Sequence, residues 1–177
     1  QGEFGVVMAK PTGKVRQGDL PVVGDWVALR LLPDGQGVIL AHLIRKSAFS
    51  RNAAGKAVDR QVLAANIDTV FVVSGLDRDF NLRRIERYVT LVYNSGALPV
   101  LVLNKADLAP DIDKAVIQAE LICPGVPVYP VCAALGTGLD PLSGHLERGR
   151  TAAFLGSSGA GKSTLINRLL GQERTRV

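Results

Sequence analysis

In Gly156-Ser157-Ser158-Gly159-Ala160-Gly161-Lys162-Ser163-Thr164, glycines surround small polar residues, and one lysine is followed by two hydroxyls. The spacing fits G-x-x-x-x-G-K-[ST]. Residues without bulk let the backbone wrap closely round a phosphate, with successive N–H groups pointing inward at the positive end of a following helix. Lys162 then supplies a point charge between the outer phosphates and is the candidate catalytic residue, while Ser163 offers a hydroxyl to Mg²⁺. A chance match in a chain of this length and glycine content is below about one in a hundred. The stretch also follows an apolar run, TAAFLG, and opens an amphipathic one, KSTLINRLLG, which is the setting this chemistry requires. The plain alternative is a glycine–serine linker with a stray lysine.

A second stretch lies earlier in the chain. LVLNKADL, residues 101–108, ends in Asn104-Lys105-Ala106-Asp107. A carboxylate such as Asp107 accepts two hydrogen bonds from guanine, at N1–H and the exocyclic amine. Adenine cannot donate there, and a site built on such bonds can reject the wrong analogue by ~10⁴-fold or more. Asn104 can meet the far edge of the base and tie loops together, and the Lys105 stem can cover the ring face. A third loop, Val131-Cys132-Ala133-Ala134, can bring a backbone N–H to the guanine carbonyl, which makes Cys132 and Ala133 candidates as well. Alone, N-K-x-D also reads as a polar turn at a strand end.

Both stretches must be positioned by a sheet. NIDTVFVVSGL (66–76), PVLVLNKADL (99–108), PVYPVCAAL (127–135) and TAAFLG (151–156) read as strands, the first two near-continuously apolar as in a parallel sheet buried on both faces. Between them, Asp79 or Asn81 can cap a helix with Leu82, Ile85, Val89, Val92 and Tyr93 on one face, closed by Gly96; a second helix is expected from about Asp111 to Ile122. The alternation predicts an α/β domain over residues 61–177. Ligands in open α/β sheets bind at the carboxyl edge of the strands, and both stretches leave their strands there. In ordinary GTP-binding proteins the phosphate loop precedes the guanine contact; here the order is reversed. Circular permutation keeps each strand's neighbours while changing which comes first, so one nucleotide site is the economical reading.

Residues 1–60 differ in character. VVGDWVALRLL (22–32) and GVILAHLI (37–44) flank the turn residues Pro33-Asp34-Gly35, which predicts a small antiparallel β-barrel. Trp26 is expected to fill the core, with base stacking as the competing reading. Arg45, Lys46, Arg51, Lys56 and Arg60 form either a solvated linker or an RNA-facing rim.

Composition narrows the classes. The chain has 177 residues, 47% of them apolar and 5% aromatic, as in a globular protein with an aliphatic core. No apolar run reaches the ~18 residues of a membrane span, and the start, QGEFGVVMAKPTGK, carries no signal-peptide pattern. Cys123 and Cys132 are expected as small buried hydrophobes, and with His42 and His145 isolated no zinc spacing is present. A cytoplasmic, reducing setting follows as the expectation. The net charge of +5 favours an anionic partner, nucleotide or nucleic acid.

LPVVGDWVAL (20–29), RKSAFSR (45–51), QVLAANIDTVFVVS (61–74), DFNLRRIERYVTLV (79–92), LVLNKADL, GTGLDPL (136–142) and LGSSGAGKSTLINRLLG (155–171) together resemble the ribosome small-subunit-dependent GTPase A family, bacterial circularly permuted GTPases. The resemblance implies an oligonucleotide/oligosaccharide-binding (OB) barrel followed by a permuted phosphate-loop GTPase domain. It implies hydrolysis of GTP to GDP with Mg²⁺, stimulated by the small ribosomal subunit and its rRNA, in late maturation of that subunit. A monomer is expected, with neither membrane nor DNA as partner. On the family pattern, Asn104, Lys105 and Asp107 match the guanine motif, and Gly156, Gly159, Gly161, Lys162, Ser163 and Thr164 the phosphate loop. Cys132-Ala133 stands where the family has Ser-Ala. The family continues into switch segments, a D-x-P-G motif and a zinc-binding domain, none of which lies within these 177 residues. Two other classes compete: an ATP-dependent enzyme carrying N-K-A-D by coincidence, and a non-catalytic, guanine-nucleotide-dependent rRNA-binding module.

Overall fold

Turn chemistry and short β-branched runs build the first part of the chain. In the computed structural model, which describes residues 5–12, 20–52 and 60–171, the chain divides into two units, Gln1–Asn66 and Ile67–Val177. The first contains β1 (Ala9–Pro11), β2 (Val27–Leu31), β3 (Gly37–His42), β4 (Ala48–Asn52) and β5 (Arg60–Ala65). β2 and β3 pair antiparallel across the expected turn, where the Asp34 carboxylate accepts from the Gln36 N–H at 3.0 Å. β1 adds to β3 in parallel, and β4 and β5 form a separate antiparallel pair. An isolated bridge between Val23 and Ala64 ties the turn before β2 to β5. The unit extends past the boundary expected at Gln61, because residues 60–65 pair with β4.

Trp26 departs from its expected place: it is 66% exposed. The first unit buries little, and among its described residues Gly37, Ser47 and Ala65 are the fully buried positions. Among the described residues of this unit no apolar side chain larger than alanine is fully buried, so the indole has no core to join. A polar corner braces this end. Arg45 donates to both carboxylate oxygens of Asp25 at 2.7 Å, and the Asp25 side chain is 1% exposed. Those hydrogen bonds, with the Val22 amide, hold the Asp25 carboxyl below its ordinary value despite burial. Asn66 closes the same corner by donating to Gly24 O and accepting from the Lys46 amide, both at 2.9 Å.

The second unit is a four-stranded parallel sheet in the order β8-β7-β6-β9, made of β6 (Thr69–Gly75), β7 (Leu98–Asn104), β8 (Val128–Pro130) and β9 (Ala152–Leu155). Every residue of β6 is buried, as its continuous apolar run predicts. Helices α1 (Leu82–Ser95), α2 (Ile112–Ile122), α3 (Asp140–Ser143) and α4 (Lys162–Leu170) connect and follow the strands. Asn81 caps α1 by accepting from the Arg84 N–H at 3.0 Å, and Asp111 caps α2 in the same way. α1 buries Ile85, Val89, Val92 and Ser95, whereas Tyr93 is half exposed. Ser95 tolerates burial because its hydroxyl donates to Val92 O at 2.6 Å. One core cluster joins Phe71, Val73, Val100 and Val102 of the sheet to Leu142, Ala160 and Leu165. The phosphate-loop helix is therefore packed directly on the two central strands. Cys123 and Cys132 are both buried and unpaired, and burial raises the Cys123 thiol above its ordinary value.

Candidate functional site

β9 delivers the chain to the glycine loop at the carboxyl edge of the sheet, and α4 carries it away. Two of the glycines are required by their neighbours. A Cβ on Gly156 would lie 2.2 Å from Val73 O, so the loop can leave the sheet only without a side chain there. Gly161 has φ +92°, and a Cβ on it would meet Asn104 Nδ2 at 2.1 Å. Lys162 Nζ donates to Gly156 O at 2.9 Å and to Ser157 O at 2.6 Å. The ammonium thus stands over the mouth of the loop, which spans Ser157, Ser158, Gly159 and Ala160. Ser163 and Thr164 follow in the first turn of α4, half-buried. Among the described residues no cluster of three His, Cys, Asp or Glu side chains is placed to hold a metal. A Ser163 hydroxyl is a hard oxygen donor, and it fits Mg²⁺ of the kind that shares its coordination with phosphate oxygens and water rather than with an all-protein cage.

β7 delivers the second motif to the same edge. In the register, Asn104 stands opposite Gly75 at the end of β6, and β6 lies between β7 and β9. Asn104 is 3% exposed and crosses that gap. Its Nδ2 donates to Ala160 O at 2.9 Å, and its Oδ1 accepts from the Ala133 N–H at 3.0 Å. One side chain therefore links the guanine motif, the phosphate loop and the third loop. An amide has two N–H donors and two lone pairs, so these two bonds use half of its capacity. Asp107 sits in a short 3-10 turn, Ala106–Leu108, with its carboxylate exposed.

Lys105 adopts a left-handed backbone, φ 61°, and its Nζ pairs with Asp77 at 2.6 Å. The Lys105 stem passes over Gly75, where a Cβ would lie 3.5 Å from Lys105 Cδ. The bond from Lys105, followed by the Asp79 amide, lowers the Asp77 carboxyl below its ordinary value. In the third loop, the Cys132 N–H donates to Thr137 O and the Ala133 N–H to Asn104, so both amides proposed to meet a base are engaged within the protein. Neither of these acceptors takes the next amide, that of Ala134.

Sequence reasoning passed over four residues at this edge. Asp77 anchors Lys105; Asp79, considered only as a helix cap, accepts from the Ser157 hydroxyl; Arg84 pairs with Asp79 at 2.6 Å; and Arg168 donates from Nε to Ala133 O at 3.1 Å and from Nη2 to Ala134 O at 2.6 Å. A signal existed for Asp77 and Asp79, which follow a buried strand at the edge where ligands bind. Nothing in the pattern distinguishes Arg168 from a solvated helix cation. The residues proposed to meet RNA lie in the other unit. Arg45 is bound to the buried Asp25, Lys46 is exposed, and the side chain of Arg51 lies outside the described residues. A cavity of about 360 Å³ opens at the opposite edge of the sheet, lined by Thr69 and Leu98 at the starts of β6 and β7 and by Tyr93, His145 and Glu147. It is remote from both motifs.

A parallel sheet running through a glycine loop into a packed helix, with a neighbouring strand end hydrogen-bonded to that loop, defines a phosphate-loop α/β protein. The sequence profile of the RsgA GTPase family matches residues 42–177, and the chain belongs to that family. It is 56% identical over 164 residues to the small ribosomal subunit biogenesis GTPase RsgA of Opitutus terrae, covering 88% of this chain and 45% of that protein. The protein of the same name from Methanosarcina acetivorans is 47% identical over 94% of this chain and 46% of its own length. The crystal structure of YjeQ from Thermotoga maritima superposes with a TM-score of 0.74 at 28% identity, covering 92% of this chain and 56% of that one. YloQ, a circularly permuted GTPase, shares the fold with a TM-score of 0.66 at 21% identity, over 96% of this chain and 57% of its own. The chain thus spans about half the length of the relatives it matches.

Proposed function

We propose that this chain is the guanine-binding part of a GTPase that acts on the small ribosomal subunit. Asp107 reads the base, Asn104 and the third loop frame it, and residues 156–164 hold the phosphates, with Lys162 stabilising charge as it develops on them. Mg²⁺ held by Ser163 and the phosphates supplies further charge neutralisation when bound. The reversed chain order is read as a circular permutation. The first unit, with five strands among its described residues, is read as an OB-type barrel that meets rRNA, in a protein of the cytoplasm. Among the described residues no helix is long and apolar enough to cross a membrane.

The observation that carries the reading is Asn104. Its side chain bonds the phosphate loop at 2.9 Å and the third loop at 3.0 Å, so the motifs are parts of one edge. The names of the relatives, small ribosomal subunit biogenesis GTPases, support the partner and the reaction. The test is GTP turnover by the full-length protein with and without small ribosomal subunits, for wild type and Lys162→Ala. Turnover is expected to rise with subunits and to vanish in Lys162→Ala. Displacement of labelled GDP by ATP as effectively as by GTP would overturn the guanine assignment. If Lys162→Ala abolished binding yet left ribosome maturation intact, nucleotide would be a structural ligand and the chain an RNA-binding module.

A further inference from the structure

We propose that Arg168 is a positioning residue for base recognition, acting through the third loop; this rests on the guanine-site reading above. Arg168 stands in the last turn of α4, the helix that begins at the phosphate loop. Its guanidinium leaves that helix and holds two successive carbonyls, Ala133 O at 3.1 Å and Ala134 O at 2.6 Å. A planar fork suits this better than an ammonium does, because its donors are fixed relative to one another.

The consequence follows from peptide geometry. Ala133 C=O and Ala134 N–H belong to one planar trans unit, so they point in opposite directions. Fixing the Ala133 oxygen on Arg168 fixes the Ala134 N–H on the other side of that peptide. The preceding peptide is fixed independently, since the Ala133 N–H donates to Asn104 Oδ1 at 3.0 Å. Asn104 in turn holds Ala160 O, and Gly161 leads into α4, so the bonds close a circuit from α4 through the third loop and the guanine motif back to the phosphate loop. The Cys132 and Ala133 amides are engaged inside the protein, which leaves Ala134 as the loop amide that Arg168 orients toward an acceptor. An acceptor on the six-membered ring of the base, the O6 shared by guanine and hypoxanthine, is the chemistry it would recognise. Asp107 reads the other side of that ring, including the amine that hypoxanthine lacks.

Arg168 therefore affects one subset of ligands. Affinities of GDP, inosine diphosphate and ADP are measured by titration in the full-length protein, for wild type, Arg168→Ala and Arg168→Lys. Arg168→Ala is expected to weaken GDP and inosine diphosphate by the same factor, about tenfold for two lost charge-assisted bonds at a partly exposed site. ADP, which has no O6, stays unchanged. Arg168→Lys recovers part of the loss. A uniform fall for all three ligands would mean that Arg168 merely supports α4, and no change for any would mean that the clamp is idle; either result overturns the inference. A wild-type protein without preference for guanine over adenine sinks the guanine reading and this inference together, whereas a GDP-to-ADP affinity ratio that Arg168→Ala leaves unchanged sinks this inference alone.

Discussion

Asn104 uses both ends of its amide inside the protein, and both bonds are buried. Truncation to Ala would leave Ala160 O and the Ala133 N–H without partners, a loss of about 2–4 kcal/mol at the usual cost of unsatisfied buried groups. Asn104→Ala is therefore expected to lower the denaturation midpoint as well as nucleotide affinity, whereas a loss of binding with unchanged stability would mean that Asn104 serves the ligand alone. Gly161→Ala addresses the same contact from the other side, since its Cβ would meet Asn104 Nδ2 at 2.1 Å in a left-handed backbone. It is expected to disrupt the loop more than Gly159→Ala, which carries the same left-handed strain at φ +80° but whose Cβ meets nothing within 4 Å; comparison of the two GDP affinities checks this. Asp25 gives a pH prediction. Its folded pKa lies below the ordinary 3.8, held there first by Arg45, so the pair's contribution is complete above that value and is lost as the pH falls through the folded one. Acid titration, followed by the fluorescence of Trp26 beside it, is expected to show unfolding in this window. Asp25→Asn is expected to be less stable at neutral pH and flatter in acid.

The elements of the second unit were legible because each is signalled locally. β6 is a continuous apolar run, Asn81 and Asp111 stand just before periodic helices, and Gly96 follows the last turn of α1 in the left-handed conformation its type allows. Asn81→Ala removes the bond to the Arg84 amide and is expected to cost about 1 kcal/mol, measured by chemical denaturation. The expected strand over 127–135 shrinks to Val128–Pro130, because the Val131 N–H still bonds Leu103 O but the chain then turns back on itself through Cys132 and Thr137. Trp26 was misplaced for a different reason. Its burial depended on how much core the short strands of the first unit could assemble, which composition does not reveal. Arg168 was not legible, since its partners are a carbonyl pair whose proximity only the folded sheet creates.

At the scale of the whole molecule, both motifs and all their ties fall within Ile67–Val177. Ligand stabilises the unit that holds its site, by about 2.7 kcal/mol at a hundredfold excess over Kd. GDP is therefore expected to raise the melting temperature read from Tyr88, Tyr93 and Tyr129, all in the second unit, while leaving the transition read from Trp26 in place. The central claim is that Asp107 and Lys162, 55 residues apart in the chain, serve one nucleotide. Xanthine carries a carbonyl where guanine carries its exocyclic amine, so an Asn at position 107 would suit xanthine as Asp suits guanine. Titration of GDP and xanthosine diphosphate into wild type, Asp107→Asn and Lys162→Ala tests this directly. One shared site predicts that Asp107→Asn moves the preference from GDP to xanthosine diphosphate by about 100-fold or more, and that Lys162→Ala loses both ligands. A base preference that ignores position 107, or GDP binding that survives Lys162→Ala undiminished, would contradict it.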